Sequence, residues 1–152
     1  MNDDALKPLV LSQFDLDSVL VCMENQNPIE DCFLDIETGI LLLGSEGVSE
    51  AFGGEDADLN DPRFLFIDPI DSSEAFRYME RFAGAYEMPE GFRKRLFDAL
   101  DRPKPFRRFR DVLHDRIEIL DAFESYKSEQ LTEELRDALR ARGYRLVVEA
   151  NR

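Results

Sequence analysis

The segment Cys32-Phe33-Leu34-Asp35-Ile36-Glu37-Thr38-Gly39-Ile40-Leu41-Leu42-Leu43 decides the fold. Residues 32–36 and 40–43 are apolar runs of strand length, and Glu37-Thr38-Gly39 puts a glycine where a short turn needs a left-handed residue. The pattern predicts an antiparallel β-hairpin. Its second run is apolar at every position, which predicts a strand that is central in its sheet or covered on both faces. Residues 64–67 supply the natural third strand. Between them, residues 44–62 carry Gly44, Gly47, Gly53 and Gly54 among six acids and read as one long loop.

Upstream of the hairpin, Leu16, Val19, Leu20 and Met23 recur at i, i+3, i+4 and i+7, a helical stripe. Ser12 and Asp15 form a capping-box pattern ahead of it, and Pro28 stops the helix. From residue 71 the apolar period is helical throughout. Asp71 and Glu74 make a capping pattern before the stripe Ala75, Met79, Phe82 and Tyr86. Pro89 opens a helix with Phe92, Leu96 and Leu100 on one face, and Pro103 breaks it. Pro105 opens another that buries Phe106, Phe109 and Leu113 and leaves Arg107 and Arg108 outside. Ile117, Leu120, Phe123 and Tyr126 mark a further helix. Leu131, Leu135, Ala138 and Leu139 mark the last, which Gly143 caps before the extended residues 145–148.

These elements make an α+β protein: an N-terminal helix, a small antiparallel sheet of about three strands, then a C-terminal layer of four or five helices. A length of 152 residues suits a single domain, 1–152, with an acidic hairpin part at about 12–70 and a helical part at about 71–143. The 43% apolar composition, with 12 Phe and 4 Tyr, supports a real core and excludes wholesale disorder. Two cysteines are too few for a disulfide scaffold. No apolar run reaches the roughly 20 residues of a membrane span, and the N-terminus lacks signal-peptide character. The expectation is a cytoplasmic protein.

Charge is the least ordinary property of the chain. The formal net charge is −14, which opposes a general coat on nucleic acid or anionic membrane. Residues 1–92 hold 4 basic and 21 acidic side chains, whereas residues 93–152 hold 15 and 12.

Three segments carry a resemblance: Leu34-Asp35-Ile36-Glu37-Thr38-Gly39; Phe66-Ile67-Asp68-Pro69-Ile70-Asp71-Ser72-Ser73-Glu74-Ala75-Phe76 with Met79-Glu80-Arg81-Phe82; and Pro105-Phe106-Arg107-Arg108-Phe109-Arg110-Asp111-Val112-Leu113. In this order, over about residues 12–145, the chain resembles a bacterial family numbered 158 in the uncharacterised-protein series. The resemblance implies a shared fold and supplies no activity. Where that family carries Trp in the following helix, this chain has Ala122 and Phe123.

The strongest chemical candidate is the run from Arg93 to Arg110, which holds eight basic side chains against Asp98 and Asp101. Guanidinium forks match carboxylates and phosphates. One reading makes Lys104, Arg107, Arg108 and Arg110 a face for an acidic protein or a phosphorylated ligand. The other is internal: Arg107 pairs with Asp111 four residues on, and the remaining cations meet the acidic N-terminal half. Asp111 also stands three residues after Arg108, so a single local carboxylate is shared by two guanidinium groups.

Other patterns lead less far. Asp56, Asp58 and Asn60 match the start of a calcium loop, but Asp61 stands where the turn needs Gly and Ile67 where a bidentate Glu is required. His114, the lone imidazole, stands near a helix end, where a cation interacts favourably with the dipole. Cys22 and Cys32 have no CxxC partners, which leaves them as small buried hydrophobes and gives no zinc site. Asp35, Glu37, Asp68 and Asp71 flank strand ends, although turn and cap chemistry accounts for Glu37 and Asp71. No nucleophile elbow, zinc-protease motif or phosphate loop is present, so no catalytic residue, metal or cofactor is expected. The leading expectation is a non-enzymatic interaction or regulatory protein using the Arg-rich face. The alternative is an enzyme or receptor for a phosphorylated small molecule, in a cleft between the acidic sheet and the Arg-rich helices. Nucleic-acid binding is disfavoured by the overall charge.

Overall fold

Leu9 and Leu11 point inward from β1 (Lys7–Ser12), a strand with no forecast from the hairpin and helix signals. In the computed structural model, which describes residues 5–24, 30–51, 58 and 60–150, β1 runs straight into α1 (Gln13–Glu24). The Ser12 hydroxyl accepts from the Asp15 backbone N–H at 3.0 Å, satisfying one of the free donors of the first turn. The expected stripe Leu16, Val19, Leu20 and Met23 is the buried face of α1.

The hairpin forms from β2 (Cys32–Asp35) and β3 (Ile40–Leu43), with Cys32 opposite Leu43 and Asp35 opposite Ile40. Gly39 has φ +79°, and its N–H donates to the Asp35 carbonyl at 2.7 Å, closing the turn. The expectation for the second strand is overturned. The sheet order is β3, β2 and then β4 (Phe64–Phe66), so β2 is central and buried along its length, while β3 is an edge with Ile40 and Leu43 exposed. The reason is topological: β4 returns to pair with β2 and leaves β3 with one neighbour.

Residues 44–62 are not one loop, because α2 (Gly44–Ala51) follows β3 directly. Its Val48 is fully buried in a cluster with Phe33, Leu42 and Phe64, so packing on the sheet recruits a glycine-bearing segment into a helix. Asp56 of the calcium-like pattern lies outside the described residues.

Next come α3 (Ser72–Ala85), α4 (Glu90–Leu100) and α5 (Pro105–Leu113). The Asp71 carboxylate caps α3 by accepting from the Glu74 N–H at 2.8 Å. The helix α6 (Ile117–Arg140) is a single 24-residue element where the sequence pattern marks two. No glycine or proline interrupts residues 117–140, so nothing breaks the helix between the two stripes. Ile117 is exposed and Ile119 is buried in its place, alongside Phe123. Gly143, at φ +86°, turns the chain into β5 (Tyr144–Glu149), which pairs with β1 in parallel, Lys7 opposite Tyr144 and Ser12 opposite Glu149.

Contacts divide the chain into two compact units. One comprises Met1–Ile70 with Leu131–Arg152 and contains both sheets; the other is Asp71–Gln130 and is helical. The core of the helical unit gathers Met79, Phe82, Phe92, Leu96, Phe109, Leu113 and Phe123 among others. The Phe123 ring stands 5.3 Å from both the Phe82 and the Phe109 ring, each pair close to edge-to-face. The helical unit carries 12 basic and 13 acidic side chains, so nearly all of the net negative charge belongs to the other unit.

Candidate functional site: the basic face of helices α4 and α5

Helix α5 is oriented by its apolar residues. Phe109 and Leu113 are buried in the core of the helical unit, which turns Arg107 and Arg108 outward as the sequence pattern predicts. Phe106 departs from that prediction: it lies in the first turn, outside the core cluster, and is 42% exposed. Pro105 opens the helix without the loss of a hydrogen bond, and no acidic residue occupies the first turn. Lys104, the residue before it, has φ 58° and ψ 55°, left-handed values that a side chain with a Cβ adopts at a cost.

The four candidate cations have different surroundings. The side chains of Lys104 and Arg107 are exposed and, among the described residues, have no hydrogen-bond or ion-pair partner. The Arg107–Asp111 pair does not form. Arg108 donates through Nε to the Pro103 carbonyl at 2.7 Å, bracing the loop that enters α5. Arg110 reaches Glu124 of α6 at 3.0 Å, and Glu124 also meets Lys127 at 3.1 Å, so Arg110 is internally paired. Further along the basic run, Arg95 pairs with Asp115 at 2.5 Å, and Arg93 bonds the Ala83 carbonyl and Glu90.

Two depressions mark this face. One, of about 310 Å³, is lined by Lys104, Arg107, Arg108 and Asp111. The second, of about 300 Å³ between α4 and α5, shares Arg108 and Asp111 and adds Arg95, Asp98, Ala99, Arg102 and Val112. Together they gather five cations and two carboxylates. Such a surface presents N–H donors and positive potential to an anion. His114 is exposed at the C-cap of α5, where its backbone N–H bonds the Arg110 carbonyl at 3.1 Å.

A second polar centre lies in the sheet-containing unit. Arg63 grips Asp35 with two hydrogen bonds and meets Glu37 at 3.2 Å. Arg63 and Glu37 border a cleft of about 670 Å³ that also includes Asn60, Arg142 and Tyr144. Arg142 donates to the Pro62 carbonyl at 2.6 Å. The four carboxylates that flank strand ends therefore have different roles: Asp35 and Glu37 share the Arg63 guanidinium, Asp71 is a cap, and Asp68 is exposed. Sequence reading passes over Arg63, yet a signal was there, since it is the sole basic residue between Lys7 and Arg77. It also leaves Cys22 and Cys32 apart, whereas their sulfurs lie 2.8 Å from one another.

The architecture defines an α+β protein with a cationic helical face and an acidic sheet-bearing unit. The chain belongs to Uncharacterised protein family (UPF0158), whose model matches residues 6–151. It is similar to the UPF0158 protein PA5073 of Pseudomonas aeruginosa, with 30% identity over 131 residues that cover 84% of this chain and 80% of the relative. No solved structure matches the chain significantly. No helix among the described residues is long and apolar enough to cross a membrane.

Proposed function

We propose that this is a cytoplasmic, non-enzymatic interaction or regulatory protein whose α4–α5 face binds an acidic or phosphorylated group on a partner, with Lys104 and Arg107 as the principal contacts and Arg108 and Arg110 beside them. The observation that carries the reading is that Lys104 and Arg107 stand exposed at one depression with no partner among the described residues, in a protein with 33 acidic side chains. Unused cations in so acidic a chain are available to an outside anion. The left-handed Lys104 adds weight, because backbone strain tends to be retained where a side chain has a task. The overall charge of −14 limits the partner to a local anionic group, since an extended polyanion is repelled at a distance.

The test is titration of the full chain with phosphoserine-containing and Glu-rich peptides, compared with the double variant Lys104→Ala/Arg107→Ala. Neither side chain has a partner among the described residues, so the variant should fold as the wild type and bind at least about tenfold more weakly, the loss of roughly 1.4 kcal/mol. Equal binding by both proteins removes the reading.

A further inference from the structure

The chain has two cysteines, and the fold brings them together. Cys22 occupies the last turn of α1 and is partly exposed; Cys32 is the first residue of the central strand β2 and is buried. Their sulfurs are 2.8 Å apart, both as free thiols. A covalent S–S bond of about 2.05 Å is thus within a small side-chain adjustment.

Packing and metal binding explain this pair poorly. A small apolar side chain at either position would fill the same space without aligning two sulfurs. Zinc takes three or four protein ligands, and among the described residues no three His, Cys, Asp or Glu side chains converge. What remains is chemistry between the sulfurs themselves.

We propose that Cys22 and Cys32 form a reversible intramolecular disulfide when the protein meets hydrogen peroxide, linking the end of α1 to the start of β2. In the first step one thiol releases its proton to solvent and the thiolate attacks a peroxide oxygen. The O–O bond breaks, and the departing hydroxide takes up a proton to become water. In the second step the neighbouring thiol attacks the resulting sulfenic sulfur. The S–O bond breaks, and the hydroxyl leaves as a second water with the thiol proton. Two electrons pass from the sulfurs to one peroxide, and a cellular dithiol or thiol reverses the bond by exchange. Burial, the hydrogen bond to Cys32 and the charge of that neighbouring sulfur push the Cys22 thiol up to about 12, so little of it is thiolate at neutral pH and its reaction with peroxide is slow, which calls for a long exposure to the oxidant.

Because the chain contains no other cysteine, intact mass reads the chemistry directly. The full-length protein is treated with hydrogen peroxide, denatured and alkylated with iodoacetamide, beside an untreated control. The control should carry two adducts. The treated protein should carry none, be lighter than the unmodified chain by two hydrogen atoms, show no covalent link between chains, and regain two adducts after dithiothreitol. Cys22→Ser, with one thiol left, should show no such loss and should instead become trappable by dimedone as a sulfenic acid. Two adducts on the treated wild type, oxidation to sulfinic acid without loss of hydrogen, or a disulfide found only between chains would each overturn the proposal. The wild-type measurement stands even if the variant folds poorly.

Discussion

Arg63 holds Asp35 by both oxygens, Nε donating to Oδ1 at 3.1 Å and Nη2 to Oδ2 at 2.7 Å, across 28 positions of sequence. The carboxylate is buried beside the hairpin turn, where it also accepts the Glu37 backbone N–H at 3.0 Å. Burial alone raises its pKa. The Arg63 hydrogen bonds, with those from Glu37 and Thr38 and the guanidinium charge, outweigh that and hold Asp35 below the usual carboxylate range.

Arg63→Ala should therefore destabilise the protein by about 3 kcal/mol, because it leaves a buried charge without its counter-ion. The pH dependence follows from the direction of the shift. A carboxyl lowered in the folded state adds stability that is fully present above its unfolded value of about 3.9 and is lost as pH falls through the folded value. Urea melts from pH 2 to pH 7 should show this acid loss in the wild type and a flatter acid limb in Arg63→Ala. Equal acid limbs would contradict the assignment.

Phe109 and Phe106 stand three residues apart in one helix and should behave differently. Phe109→Ala removes a buried ring from the helical core and should cost about 3–5 kcal/mol. Phe106→Ala should cost less than about 1 kcal/mol, since that ring is 42% exposed. Denaturant unfolding of the two variants side by side is the measurement.

Lys104→Gly should raise stability and lower affinity together. Glycine relieves the left-handed strain at φ 58°, a gain of about 1 kcal/mol, while removal of the ammonium group weakens binding of an acidic peptide. Thermal melts and peptide titrations on the same sample separate the two effects. A variant that binds as tightly as the wild type would show that Lys104 has no part in recognition.

Gly39→Ala should cost about 1–3 kcal/mol. The position has φ +79°, and an added Cβ would come within 3.2 Å of the Val10 carbonyl oxygen and of Leu11 Cδ2. Chemical denaturation should show a lower midpoint with an unchanged slope.

Short-range chemistry was legible in the sequence. The Glu37-Thr38-Gly39 turn, the Ser12 and Asp71 caps, the prolines that open α4 and α5 and the outward Arg107 and Arg108 each depend on residues within a few positions of one another. The family follows from motifs of the same local kind, and the basic run was visible as a candidate face. What tertiary structure alone decided involves partners far apart in the chain. β1 becomes a strand by pairing with β5, whose residues 145–148 already read as extended, and β2 rather than β3 becomes central because β4 returns to it. Val48 converts an apparent loop into α2 by being buried against the sheet, and Phe106, in the first turn of α5, lies outside the core cluster. At the candidate sites, sequence listed cations and sulfurs without their neighbours. Pairing Arg110 with Glu124, leaving Lys104 and Arg107 unpaired among the described residues, and setting Cys22 against Cys32 all required the folded chain, since periodicity and spacing report which face a side chain occupies but not which distant residue the fold brings to meet it.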